Sequence, residues 1–420
     1  MPKQKRKKLT AKKIWGWLHL WLGLISGLVV LISMLGAMVF VWEEELTRMV
    51  YADKVYADVV YDEVLPPSEL FARVRQAYPD KTFRSLQASR DLHKNYVFRT
   101  FKRAKERGWT WTSGIAYYQA VYVNPYTGKV VGHVDKKRDW ITLSRFLHQN
   151  LLLDSRIGTE IVGAAALIMV FLALSGLYLW WPKNRRMLRQ RMQIKWKARF
   201  KRVNWDVHSV GGFYTWIFIL FFAGTGLVWT YDWWNDSVYR MLGDDPEKVF
   251  ERPESPAYDG YTPAAVLDLV FVDAKTRQPA WDNISLSVPN PERDKGTISV
   301  SLSYDHPDSW WDTRDRFSYH PESGALHHAF THADKSTGEK WRNSNYAMHV
   351  GSIWGWPTKI IASLCALFFA SLPVTGFLIW WGRKKKSKTV TRTRGTIPQK
   401  KLPLVPQNIQ AYDGPSRKSN

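Results

Sequence analysis

Four apolar runs divide the chain. The first, Ile14–Trp42, contains no Lys, Arg, Asp or Glu. At about 1.5 Å per helical residue it is long enough to cross a bilayer core of ~30 Å. It is too long for a cleaved leader and lacks a small-residue cleavage site before its end, so it reads as a retained anchor. The other runs are Ile157–Trp181, interrupted by one acid, Glu160, then Val210–Trp229 and Ile360–Trp381. Tryptophans gather at the run ends (Trp15, Trp17, Trp42, Trp180, Trp181, Trp380, Trp381), where aromatic side chains meet a membrane interface. Between the runs the pattern changes period. Ala116–Val123, Ile284–Val288 and Thr297–Tyr304 read as strands, and Pro66-Pro67-Ser68 followed by Glu69–Ala77 reads as a short capped helix.

The chain therefore reads as a basic N-terminus (1–13), a first membrane helix (14–42) and an external segment (43–147). An outer-surface segment with the second membrane helix (148–181) follows, then a basic loop (182–207) and the third helix (208–230). A second external segment (231–348), an outer-surface segment with the fourth helix (349–382) and a basic tail (383–420), expected to be disordered, complete it.

Charge sets the orientation. The segments 1–13, 182–207 and 383–420 carry seven, ten and eleven Lys/Arg, with Asp206 and Asp413 their only acids, whereas the whole chain is +23. By the positive-inside rule these segments are cytosolic, and so are both termini. Basic charge on short loops beside membrane helices serves orientation and attraction to anionic lipid, which argues against nucleic acid as a partner. The lone Cys365 excludes an internal disulfide and a cysteine-based zinc or iron–sulfur site. No Gly-rich phosphate loop, nucleophile elbow or H-E-x-x-H motif is present.

The two halves resemble each other. Asn124-Pro125-Tyr126-Thr127-Gly128 answers His320-Pro321-Glu322-Ser323-Gly324, and Leu147-His148 answers Met348-His349. Leu174-Ser175-Gly176 with Trp180-Trp181 answers Val374-Thr375-Gly376 with Trp380-Trp381. His19 lies 17 residues before Gly36, and His208 lies 18 before Gly226. Each half is helix, external domain, helix in the same orientation, so a pseudo-twofold axis along the membrane normal is expected.

The repeat sorts four histidines into two pairs: His19 with His208 at the cytosolic side, and His148 with His349 at the external side. Two histidines facing each other across a bundle can supply both axial ligands of a haem iron. A zinc site normally needs three or four protein ligands. From His148 to Lys183 is 35 residues, about 50 Å if wholly helical. Breaks are therefore expected near Asp154–Gly158 and Gly355-Trp356-Pro357. Gly23, Gly27, Gly211 and Gly212 follow the inner histidines by one to two turns, and Gly36, Gly176, Gly226 and Gly376 recur in the helices. Small residues let a helix or a flat macrocycle approach closely. His327, His328 and His332 form a weaker candidate metal group. Trp109, Trp111, Tyr117, Tyr118, Trp310 and Trp311 fit strand faces or a ligand cleft.

The start Leu18-His19-(two)-Leu22-Gly23, the Asn-Pro-x-Thr-Gly turn and Phe146-Leu147-His148-Gln149-Asn150-Leu151-Leu152 resemble the PepSY-associated transmembrane family across residues 10–385. That family includes iron-regulated inner-membrane proteins and FoxB-type siderophore reductases. The resemblance implies an α-helical bundle of four transmembrane helices with two α+β PepSY-like periplasmic domains in the bacterial inner membrane. It implies two b-type haems, bis-histidine ligated by His19, His208, His148 and His349, and electron delivery to a periplasmic ferric siderophore or other ferric chelate. Gln149 stands where the family often has Arg, and His208-Ser209-Val210-Gly211-Gly212 is a looser version of the His-x-x-x-Gly start. No flavin/nicotinamide module fits in the tail, so a cytosolic reductase or a membrane quinol is the expected donor. A haem-free PepSY binding or regulatory module and an iron or siderophore transporter are the alternatives.

Overall fold

The structure, a computed structural model, describes residues 10–249, 253–305 and 309–392. Residues 1–9 and the tail beyond Arg392, including the stretch expected to be disordered, lie outside them. The helices used below are α1 (Ala11–Phe40), α2 (Pro67–Ala77), α3 (Trp140–Asn150), α4 (Ser155–Trp180), α5 (Phe200–Leu227), α6 (Ala264–Arg277), α7 (Thr337–Val350) and α8 (Trp356–Arg392). Among the described residues four of them, α1, α4, α5 and α8, are long and apolar enough to cross a membrane. The third begins at Phe200, ten residues before its apolar run, because the chain is already helical in the basic loop. Helix α1 packs against α3, α4 and α8, and α4 packs against α5. At Gly27 an added Cβ would lie 3.1 Å from Pro373, so α1 and α8 approach to backbone contact there.

The strands are β1 (Ser85–Ser89), β2 (Tyr96–Arg103), β3 (Ile115–Val123), β4 (Val130–Asp135), β5 (Asn283–Ser287), β6 (Ile298–Tyr304), β7 (Thr313–Tyr319) and β8 (Leu326–Phe330). They form one antiparallel sheet in the order β4-β3-β2-β1-β5-β6-β7-β8. Each of the segments 43–147 and 231–348 supplies four strands, and the sequence places them in separate domains. The structure instead joins them edge to edge. Strands β1 and β5 pair with Leu86 opposite Leu286 and Ser85 opposite Ser287. Pairing removes an open edge from each four-stranded half.

One core follows from one sheet. Leu70, Phe71 and Val74 of α2 and Val270 and Phe271 of α6 cover the same face, against Leu86, Phe98, Leu286 and Val300. Asp268 of α6 accepts from the Ser68 backbone N–H (2.8 Å) and hydroxyl (2.6 Å), so one helix supplies the anionic group that satisfies the first turn of the other. Because strand side chains alternate, Phe98 and Thr100 of β2 are buried while Arg99, Phe101 and Arg103 are exposed on the face opposite α2 and α6.

The expected breaks occur slightly earlier than the sequence suggests. Helix α3 ends with Leu151 and Leu152 in the left-handed region (φ 57° and 58°), and α7 ends at Gly351 (φ 76°). A left-handed residue stops a helix and turns the chain, so α4 and α8 start afresh as separate helices. Leu151 and Leu152 adopt this conformation against a steric cost that Gly351 escapes.

A shared core has a measurable signature. Leu86→Ala and Leu286→Ala each delete side chains of 0 % exposure, at a cost of about 2–5 kcal/mol. Both should lower the same single thermal transition of the sheet, followed by circular dichroism. Two transitions, of which each variant shifts only one, would contradict the common core.

Candidate functional site

The four histidines singled out by the sequence meet in two pairs. The rings of His19 on α1 and His208 on α5 lie 6.4 Å apart between centroids, nearly perpendicular at 88°. Those of His148 on α3 and His349 on α7 lie 5.9 Å apart at 37°. His148 also contacts Ser33 of α1, fourteen residues beyond His19. At ~1.5 Å per residue the pairs are offset by about 21 Å along that helix, comparable with much of a bilayer core. His208 sits in a π-helical turn, Val207–Gly211. Such single turns insert a residue and re-aim side chains, often at functional positions.

Every imidazole is held through Nδ1 by a hydroxyl-bearing residue of a neighbouring helix. His19 bonds to Ser175 Oγ (2.9 Å), His208 to Thr375 Oγ1 (2.9 Å) and His349 to Thr225 Oγ1 (2.9 Å). Each of these hydroxyls already donates its only proton to a carbonyl of its own helix: Ser175 to Leu172, Thr375 to Ser371 or Leu372, Thr225 to Phe221 or Phe222. They therefore accept from the histidine. His148 Nδ1 donates to the Ser33 carbonyl oxygen (3.1 Å), while Ser33 Oγ donates to the His148 carbonyl (2.8 Å). These partners assign the proton to Nδ1 of each neutral ring and leave the lone pair to Nε2. That is the metal-ligating tautomer, fixed by the partner of the other nitrogen.

Glycine makes room for these rings. A Cβ at Gly176 would lie 3.2 Å from His19 Cε1, at Gly376 3.3 Å from His208 Cε1 and at Gly226 3.1 Å from His349 Cε1. At Gly36 it would strike the α3 backbone, 2.6 Å from Ser144 O and 2.8 Å from His148 N. Of the glycines after the inner histidines, Gly23 faces Leu172, Gly27 faces Pro373 and Gly211 lies under the Phe368 ring, while Gly212 has nothing within 4 Å. The first three serve helix packing in this arrangement, and Gly212 borders open space.

Helix α3 is anchored from its first residue. Buried Asp139 caps it, accepting from the backbone N–H groups of Ile141 and Thr142 and from the Thr142 hydroxyl. Tyr51 OH (2.8 Å) and Lys136 Nζ (3.1 Å) also donate to Asp139. Burial and the bond to this carboxylate push the Tyr51 hydroxyl up to about 12, so Tyr51 stays a donor at neutral pH. Helix α7 starts with a Ser336/Glu339 capping box, and Asp244 accepts from both Ser336 Oγ and Gly338 N–H (2.7 Å each).

A cavity of about 430 Å³ opens between the outer histidines, lined by His148, His349 and apolar groups such as Val30, Met34, Met169 and Phe222. An imidazole nitrogen lies about 2.0 Å from a bound first-row metal and ~1.2 Å from its own ring centre, so two imidazoles on opposite sides of one ion hold centroids about 6.4 Å apart. The inner pair, at 6.4 Å, matches this spacing, and the outer pair, at 5.9 Å, lies within about half an ångström of it. Among the described residues no group of three or more His, Cys, Asp or Glu could hold a metal ion. His327, His328 and His332 accordingly do not converge. The first two lie exposed on β8, with His328 stacked on Phe330, and the His332 backbone N–H donates to Asp315.

The glycine contacts are testable. Gly176→Val and Gly376→Val push branched carbons onto His19 and His208, at a cost of about 1–3 kcal/mol. Both should lower the thermal midpoint of the purified protein. Gly382→Ala, where nothing lies within 4 Å, should not lower it.

Comparison with known proteins agrees with a membrane protein. No curated protein matches the chain. The family described as the PepSY-associated TM region matches residues 16–383, from just before His19 to just beyond Trp381, and the chain belongs to that family.

Proposed function

We propose that this protein is a two-haem transmembrane oxidoreductase of the bacterial inner membrane. It passes electrons from a cytosolic reductase or the quinol pool to a periplasmic ferric siderophore or other ferric chelate, which is released as ferrous iron. One observation carries the reading. Two histidine pairs, each spaced for one metal ion and each locked in the tautomer with Nε2 free, stand at opposite ends of the same four-helix bundle.

The residues fit haem better than a bare ion. Among the described residues two histidines meet at each site, fewer than the three or four protein ligands a bare metal site takes, so they would suit a metal already held by a macrocycle. The outer pair opens into a largely apolar cavity of about 430 Å³, within the range of cofactor sites. When bound, a haem at each pair would supply a one-electron ferric/ferrous couple. His19 and His208 would hold the inner group, and His148 and His349 the outer. Ser175, Thr375, Thr225 and Ser33 keep the ligating nitrogens unprotonated and fix the ring planes. Gly176, Gly376 and Gly226 let the rings seat against the helices. The apolar lining excludes water and raises the energetic cost of a charge change, which tunes a redox potential. No nucleophile or general base is required, because the redox chemistry belongs to the cofactor.

The reading includes a tandem repeat about an axis along the membrane normal, with the sheet on the periplasmic side. Three facts support the repeat. Ser175-Gly176 meets His19 as Thr375-Gly376 meets His208. Helix α1 meets His148 as α5 meets His349. The β1–β5 seam brings the two four-stranded sets together at the middle of the sheet.

Haem content and spectrum test the assignment. The wild-type protein should carry about two b-type haems, reducible and re-oxidised on adding ferric siderophore. His19→Ala and His208→Ala should each retain about one, that of the outer pair, and should lose electron transfer across proteoliposome membranes. Full haem content in either variant, or a colourless preparation from haem-replete cells, would overturn it.

A further inference from the structure

A second cavity, of about 500 Å³, lies between the face of the sheet that bears Arg99 and Arg103 and the part of α3 just before His148. Five arginines line it: Arg84 just before β1, Arg99 and Arg103 on β2, Arg107 in the following loop, and Arg145 on α3. Among the described residues none of the five makes a salt bridge or donates a side-chain hydrogen bond to a protein acceptor. Arg145 Nε is buried with no hydrogen-bond partner. The only carboxylate in the lining is Asp154, bound by Arg156 at 2.8 Å and also attracted electrostatically by Arg107.

Such a cluster is costly in an isolated protein. Five like charges that converge around one carboxylate shared with Arg156 destabilise one another, and a buried guanidinium donor without an acceptor loses its hydration. A multiply negative ligand removes both costs, and the planar guanidinium fork matches oxyanion groups in particular. The walls add a flat surface. Trp111 stacks on Phe146 at 3.9 Å, Arg145 lies over Phe146 at 4.7 Å, and Phe101 meets Tyr118 edge-on at 5.6 Å. The chamber therefore combines positive charge with aromatic faces.

Its position gives it a use. Arg145 and His148 stand three residues apart on α3, which makes them neighbours on one helix surface with Cβ atoms about 5–6 Å apart. The loop forming the far wall is tied to the turn after His148, through Trp111 N–H to Leu152 O (2.8 Å) and Asp154 N–H to Trp109 O (2.8 Å). Tyr346, rather than an arginine, stands three residues before His349, so the feature belongs to the first half.

We propose that this chamber is an oxyanion site that receives a soluble, multiply negative ferric chelate one helical turn from the outer histidine pair. The identity of the ligand as an iron chelate rests on the reductase reading. The oxyanion chemistry rests on the arginines alone.

The test is direct binding to the full-length, oxidised protein without an electron donor, in nanodiscs of uncharged phosphatidylcholine, with ferric citrate as the probe. Wild type should bind, more weakly as salt rises. Arg145→Gln and exposed Arg103→Gln should each weaken binding by about tenfold or more, the scale of a lost charge-assisted hydrogen bond. Arg145→Lys should lose less, because charge is kept and only the fork is removed. Absence of binding to wild type, or equal affinity in wild type and both Gln variants, would overturn the site. So would binding abolished by phosphatidylglycerol in the discs together with co-purified anionic lipid lost in Arg145→Gln, which would assign the chamber to a lipid headgroup. Haem spectra recorded on the same samples report separately on the redox reading, so failure of one leaves the other decided.

Discussion

A hydroxyl whose proton is committed to a helix carbonyl can only accept a further hydrogen bond. That constraint, imposed on Ser175, Thr225 and Thr375, fixes the chemistry of three histidines, and a backbone carbonyl does the same for His148. It decides which nitrogen is available and which way the ring faces. Everything else in the bundle serves it. Glycines bring the hydroxyl helix close enough for the bond to form, the π turn of α5 sets the angle of His208, and the capped starts of α3 and α7 hold the outer rings in place.

The extramembranous part plays a mechanical role in the same scheme. His148 and His349 do not ride on the crossing helices. They stand on α3 and α7, which connect the sheet to α4 and α8. The separation of the outer rings therefore depends on how the two four-stranded sets are held relative to each other. The β1–β5 seam and the common core under α2 and α6 hold them. Lys359 of α8 adds a further tie to Glu45, at 2.6 Å, just beyond the end of α1.

Much of this was legible in the sequence, and the exceptions have physical reasons. Helices α1, α4, α5 and α8 announce themselves through apolar runs, and the four histidines through their recurrence. The hydroxyl partners also left a mark. Ser175-Gly176, Thr225-Gly226 and Thr375-Gly376 are three instances of a hydroxyl residue followed by glycine on a facing helix. The glycines recur in the sequence, but their contact with imidazole depends on helix rotation, which spacing does not give. The fourth case breaks the pattern, with Ser33 and Gly36 three residues apart. The β1–β5 seam could not be read because short strands of Leu and Ser carry no partner label, and register is a tertiary property. The arginine chamber was hidden for a similar reason. Its members are spread from residue 84 to 145 and converge only when a strand face meets α3.

The seam between β1 and β5 has a consequence for how such a chain can arise. An antiparallel pair is related by a local twofold, and a twofold is the one relation in which a surface can meet its own copy. Leu86 against Leu286 and Ser85 against Ser287 are like against like. On the proposed repeat, a half-length ancestor with a crossing helix at each end and four strands between them would have presented β1 as an edge complementary to itself. Two such molecules would have closed the same sheet and faced the same helices toward each other. Fusing two copies end to end would then have turned a dimer into a monomer without redesigning the interface, and would have freed each half to diverge. An arginine at position 145 and a tyrosine at 346 are the kind of difference that only a fused pair can keep.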